Sequence, residues 1–131
     1  MKLAGSLYDE IVAHARAEAP NECCGMIATR DGEAVKVFAA TNAAAAPRYA
    51  YEIDSGDLLR IWRAIDDANL DIGAMYHSHP RSEPVPSQTD INLAFYPDAI
   101  YIIVGLADGD PDVRAFMIRD GQVADAELVI G

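Results

Sequence analysis

Cationic residues are scarce in this chain: ten Lys and Arg stand against 21 Asp and Glu, a formal net charge of −11. So few basic groups argue against a nucleic-acid ligand, whose phosphates need clustered Lys and Arg, and against attraction to an anionic membrane. A basic protein or peptide partner is compatible with the charge, although charge alone selects none. Cysteine is almost absent as well. The two present, Cys23 and Cys24, are adjacent and cannot make the disulfide framework of a small secreted domain. They read most simply as a buried apolar pair at a strand start; a redox or supporting role beside Glu22 is the alternative. No apolar run is long enough to span a bilayer. The opening MKLAGSLYDEIVAHARAE carries acidic residues where a signal peptide would have its apolar stretch. A cytoplasmic protein is expected. With 51% hydrophobic and 24% charged residues, the composition suits one globular domain over residues 1–131.

What the chain does have is one dense polar stretch, Tyr76 to Asp90, YHSHPRSEPVPSQTD. It follows an apolar segment, LDIGAMY, that reads as a short buried strand. In an extended chain His77 and His79 point to the same face, because side chains alternate with period two. Two imidazoles and the Asp90 carboxylate form a three-ligand set of the kind that holds zinc and leaves a fourth position open, as catalytic sites do. Plainer readings exist for each part. Ser87 and Asp90 fit S-x-x-D, a helix N-terminal cap, and the prolines at 80, 84 and 86 mark a loop running into that helix. Two surface histidines could be idle. The cap and the metal reading are compatible, since Ser87 can start a helix while Asp90, one turn in, points back to the histidines.

The segment resembles the signature of the JAMM (MPN+) zinc metalloproteases, in which an upstream glutamate precedes H-[ST]-H-P-x6-S-x2-D. His77-Ser78-His79-Pro80, Ser87 and Asp90 match each required position. Glu22, within APNECCGMIA, fits the upstream glutamate, which in the family follows a first helix and opens a strand. The resemblance runs from the first helix to the last strand. It implies an α/β fold, a single MPN (JAMM) domain whose curved mixed β-sheet is flanked by helices, similar in architecture to the cytidine deaminases. It also implies one zinc ion with a bound water, held by His77, His79 and Asp90. Glu22 would be the general base and Ser87 the hydroxyl that stabilises the developing oxyanion, with Ser78 orienting the loop.

The order of elements agrees with such a fold. A helix is expected from about Ser6 to Ala19, with Leu7, Ile11 and Ala15 on one face and Pro20 as its stop. Cys24–Thr29 and Glu33–Ala40 should form a hairpin around Asp31-Gly32. TNAAAAPRYA has no clear form, while Tyr49–Ile53 alternates like a strand. Ser55 would cap a helix with Leu58, Leu59, Trp62 and Ile65 inward. Asp71–His77 is the ligand-bearing strand and Ser87–Phe95 a short helix. Ala99–Leu106 should be a central strand, and Val113–Arg119 and Val123–Ile130 should close the sheet. His14 reads as a solvated helix histidine.

The reaction implied is hydrolysis of an amide at the C-terminal tail of a ubiquitin-like or sulfur-carrier protein. The chain resembles the compact prokaryotic form, without the insertions that eukaryotic members use on ubiquitin chains. The tail would add as a strand beside the site. An exposed strand edge would also allow a homodimer. The alternatives are a peptidase of cell-wall or other small peptides, and a non-catalytic MPN scaffold. Other hydrolytic motifs are missing: there is no H-x-E with P-C-x-x-C, no H-E-x-x-H and no G-x-S-x-G.

Overall fold

The first strand, β1, is the two-residue Lys2–Leu3, which precedes helix α1, Gly5–Glu18, in a computed structural model describing all residues from Met1 to Gly131. The helix buries Ile11 and Ala15 fully, four residues apart on one face. It stops at Ala19, whose peptide bond to Pro20 is cis. Strands β2, Cys24–Arg30, and β3, Glu33–Ala40, form the expected hairpin. Asp31 and Gly32 both have positive φ, 51° and 79°, the left-handed pair that a two-residue hairpin turn requires. Helix α2, Ser55–Asp67, leads into β4, Asp71–His79, and a short helix, α3, spans Gln88–Asn92. Then come β5, Ile100–Gly105, β6, Asp112–Arg119, β7, Gln122–Asp125, and β8, Val129–Ile130.

All eight strands join one mixed sheet in the order β7-β6-β5-β4-β2-β3-β1-β8. The two outermost strands, β7 and β8, are separated by only three residues of chain, 126–128. Four peptide steps span at most roughly 14 Å, whereas eight flat strands would hold their edges about 34 Å apart. The sheet must therefore curl. The bridge is pinned at both ends: Ala126 N–H donates to the Ala115 carbonyl, and the Met1 amino group donates to the Glu127 carbonyl at 2.8 Å. The expected strand Val123–Ile130 is thus two strands on opposite edges. Neither two-residue strand, β1 or β8, is long enough to carry a periodic signal.

Two apolar cores lie on the two faces of the sheet. One gathers Ile11, Ala15, Ile27, Tyr76, Ile102 and Val104 under α1. The other gathers Met26, Ile61, Ile65, Met75, Tyr101 and Ile103 under α2. On α2 the expectation needs correction. Ile61 and Ile65 are the buried pair, and Leu59 and Trp62, rotated off that face, are about half exposed. Its cap is Asp54 rather than Ser55, the Asp54 carboxylate accepting from Asp57 N–H at 3.1 Å. Tyr49–Ile53 forms no strand, only an isolated bridge between Asn42 and Ile53. There the Asn42 side chain takes over the ladder's role, donating to the Glu22 and Ala50 carbonyls and accepting from Ala44 and Glu52 N–H. Helix α3 ends short of Phe95, and the Tyr101 hydroxyl accepts the Tyr96 N–H just beyond it. No helix is long and apolar enough to cross a membrane.

Candidate metal centre

Strand β4 runs two residues further than expected, through His79, because it pairs on both sides. His77 lies opposite Cys24 of β2 and Ile103 of β5, and His79 opposite Gly105. Both imidazoles therefore emerge on the α2 side of the sheet, in line with Met75, and both residues are buried. Helix α3 brings the carboxylate. Ser87 Oγ accepts from Asp90 N–H at 3.1 Å, and Ser87 N–H donates to Asp90 Oδ2 at 2.9 Å. This reciprocal box fixes Asp90 one turn into the helix. Ser87 is thus a cap, as the sequence allowed, and its own hydroxyl proton remains free at an exposed position.

Three atoms converge. His77 Nε2, His79 Nε2 and Asp90 Oδ2 form a triangle with edges of 3.2, 3.1 and 3.2 Å. Tetrahedral bonds of about 2.0–2.1 Å hold ligand atoms roughly 3.3–3.4 Å apart, close to these edges. The tautomer fits too. His79 Nδ1 lies 2.8 Å from the Glu83 carbonyl, which can only accept, so Nδ1 carries the hydrogen and the neutral ring offers a lone pair at Nε2. The His77 ring is set by stacking on Tyr51, with centroids 4.3 Å apart and planes at 22°. Three electron-rich atoms in one buried place call for a cation, and the donor set suits zinc.

Glu22 joins this group. Its ligand atom and those of His77, His79 and Asp90 all lie within 4.8 Å of one another. The backbone on either side is held by Glu22 N–H donating to the Pro47 carbonyl at 2.8 Å and by Asn42 Nδ2 donating to the Glu22 carbonyl at 3.0 Å. Its Oε1 is buried with no hydrogen-bond partner, and so is His77 Nδ1. Burial pushes the Glu22 carboxyl up to about 7, with His79 opposing and Asp90 reinforcing the rise. Burial lowers His77. At Asp90 burial is outweighed by hydrogen bonds from His77 and His79, which hold the carboxyl well below its ordinary range. At His79 burial is likewise outweighed, by Asp90 and the Glu83 carbonyl, and the ring titrates above its ordinary value.

The neighbouring residues divide cleanly. Ser78 points to the other face and clamps the segment that carries Glu22: Cys23 N–H donates to Ser78 Oγ at 2.8 Å and Ser78 N–H to the Cys23 carbonyl at 3.2 Å. Cys23 and Cys24 are buried and reduced, and burial pushes both thiols up to about 12. As thiols they are poor ligands and poor nucleophiles. His14 is not solvated as expected; its Nδ1 lies 2.8 Å from the Tyr76 hydroxyl, on the face away from the metal group. Sequence reasoning missed Tyr51 and Asn42. Nothing local marks either one, since each acts through a contact made by folding.

Residues 5–119 match the family model described as prokaryotic homologs of the JAB domain. The chain is 38% identical over 126 residues to the CysO-cysteine peptidase of Mycobacterium tuberculosis, covering 94% of this chain and 86% of the relative. It is 44% identical over 110 residues to the desampylase of Haloferax volcanii, covering 79% and 78%. Among solved structures, a solution structure from Desulfitobacterium hafniense superposes with a TM-score of 0.88 at 29% identity, over 99% of this chain and 92% of that one. A JAB1/MPN domain protein from Archaeoglobus fulgidus superposes with a TM-score of 0.66 at 18% identity, over 98% and 99%, a likeness of fold.

Proposed function

The chain belongs to the prokaryotic JAB-domain family, and from that premise we propose that it is a zinc-dependent peptidase. Its substrate is the amide that extends the C-terminal tail of a ubiquitin-like or sulfur-carrier protein, in keeping with relatives named CysO-cysteine peptidase and desampylase. The observation that carries this reading is the triangle of His77 Nε2, His79 Nε2 and Asp90 Oδ2, with the Glu22 carboxylate in the same buried group.

His77, His79 and Asp90 would hold the ion. Bound there, zinc supplies the Lewis acidity that makes water nucleophilic near pH 7 and polarises a carbonyl. Glu22 takes the proton of the attacking water and later delivers it to the leaving nitrogen. Its carboxylate lies in the same buried group as the three ligand atoms, where it can reach both the water and the leaving nitrogen. Ser87 Oγ already accepts from Asp90 N–H, so its own O–H is available to donate to the oxygen on which negative charge develops. Tyr51 keeps the His77 ring in register by stacking. An apolar cleft of about 330 Å³, lined by Tyr51, Ile53, Leu58, Met75, Phe95 and Tyr101, borders the site through Tyr51. It offers the apolar side chains of a carrier tail a place to lie.

The test pairs metal content with cleavage of a ubiquitin-like substrate. Wild type should carry one zinc, and His77→Ala should lose it. Glu22→Gln should keep the metal while cleavage falls by roughly 10²–10⁴. A wild-type protein that binds no zinc from a zinc-replete buffer sinks the reading and leaves a scaffold with a capped helix.

A further inference from the structure

The few cations of this acidic chain are unevenly used. Lys2, Arg60, Arg114 and Arg119 each pair with an acidic side chain. The other six have no carboxylate within ion-pair distance, among them Arg48 and Arg81. Both line one cleft of about 240 Å³, together with Glu22, Tyr49, Pro80 and Ser82. Arg81 follows His79 by two residues, and Arg48 adjoins Pro47, whose carbonyl accepts the Glu22 N–H. The Arg81 guanidinium is stacked over the Tyr49 ring at 5.0 Å, and its Nη2 reaches the Arg48 carbonyl at 3.5 Å. Two arginines without a carboxylate partner therefore line the same cleft as the buried acid. In a protein of net charge −11, such a pair of cations is suited to an anion.

The reaction says which anion would lie there. Hydrolysis breaks the carbonyl carbon–nitrogen bond. Water's oxygen stays on the carrier as a new carboxylate, and the leaving nitrogen takes the proton from Glu22. If one amino acid leaves, its own free carboxylate is two bonds from that nitrogen, and so must occupy space bordering Glu22. If a lysine side chain of a conjugated protein leaves, a flexible methylene chain lies there and no free carboxylate is near.

Resting on the peptidase reading above, we propose that Arg48 and Arg81 bind the α-carboxylate of a single amino acid at the end of a carrier protein. The enzyme then removes one C-terminal residue in preference to separating two conjugated proteins. Arginine suits this role because its planar fork matches a carboxylate, and stacking on Tyr49 orients Arg81 beforehand.

The test uses the zinc-loaded full chain carrying Glu22→Gln and the peptide acetyl-Gly-Gly-Ala, as free acid and as C-terminal carboxamide. Alanine avoids a thiol that would itself bind zinc. The free acid should bind roughly tenfold or more tightly than the amide, and should shift the Arg48 and Arg81 side-chain Nε–H signals in NMR spectra. Adding Arg48→Gln and Arg81→Gln should abolish that preference while amide affinity and zinc content stay unchanged. Equal affinity for acid and amide overturns the proposal. So does a preference that survives the double substitution, since the carboxylate then sits on the metal. Hydrolysis is followed separately, with wild type and ubiquitin extended by one alanine as acid or amide. Equal binding with equal hydrolysis removes the carboxylate site and leaves the peptidase. Preferential binding without hydrolysis keeps the carboxylate site and removes the peptidase.

Discussion

The two faces of β4 solve opposite problems with alternating residues of one strand. Tyr76 and Ser78 face the α1 side, where each polar atom is matched: the Tyr76 hydroxyl to His14 and the Ser78 hydroxyl to Cys23 N–H. His77 and His79 face the α2 side, where the buried group includes both buried side-chain polar atoms that lack a hydrogen-bond partner, Glu22 Oε1 and His77 Nδ1. Buried polar groups left unpaired are expensive, and native proteins keep few of them. Their confinement to one face, beside three converging ligand atoms, marks that face as built for a task other than stability. The matched face is what makes this affordable, because it holds the strand rigid from behind.

If that division is right, the largest loss of stability should come from the matched face. A Cβ at Gly25 would stand 2.5 Å from the Phe38 carbonyl oxygen and press on the Tyr76 ring. Gly25→Ala should therefore cost about 3 kcal/mol, read from chemical denaturation. A cost near zero would mean the sheet centre yields, and the claim of rigid backing would fail. Ser78→Ala comes next. It leaves the buried Cys23 N–H without an acceptor, at about 2 kcal/mol. Because Cys23 adjoins Glu22, kcat should fall with zinc content unchanged. An unaltered kcat would break the link between the clamp and the acid.

How much of this was legible depended on the range of each contact. The ligand pair on β4 and the Ser87–Asp90 box could be read because both rest on spacing within one element. Glu22 lies far upstream, and only the family resemblance joined it to the histidines. The segment from Thr41 to Asp54 could not be read as it is. Alternation over Tyr49–Ile53 suggests a strand, but one Asn42 side chain supplies the hydrogen bonds a neighbouring strand would have made. The split of Val123–Ile130 between opposite edges of the sheet was likewise invisible, since it follows from curling and not from local pattern. Arg48 and Arg81 lie in irregular loops where periodicity says nothing, and at Tyr51 it points to a strand that does not form.

The smallest effects sharpen the comparison most, because Glu22 and His14, on opposite faces, should answer pH with opposite signs in the metal-free protein. Burial raises Glu22 from 4.5 to about 7. The folded state therefore holds a proton that the unfolded chain has already released. This contribution is fully present below about 4.5 and is lost as pH rises through 7. Glu22→Gln should thus gain in Tm relative to wild type as pH climbs over that interval, by a few degrees. The gain should vanish with zinc bound, because a divalent cation stabilises the carboxylate. On the matched face, burial lowers His14 below 6.5, with Glu18 opposing. Here the unfolded chain takes up a proton that the folded state resists, so stability is present above 6.5 and declines as pH falls below it. His14→Gln should lose less relative to wild type in acid than at pH 8, with or without zinc. Scans of Tm against pH for both variants, with and without zinc, decide the matter. A zinc-sensitive His14 response, or a zinc-insensitive Glu22 response, would mean the faces are not independent, and the strand would have to be treated as one coupled unit.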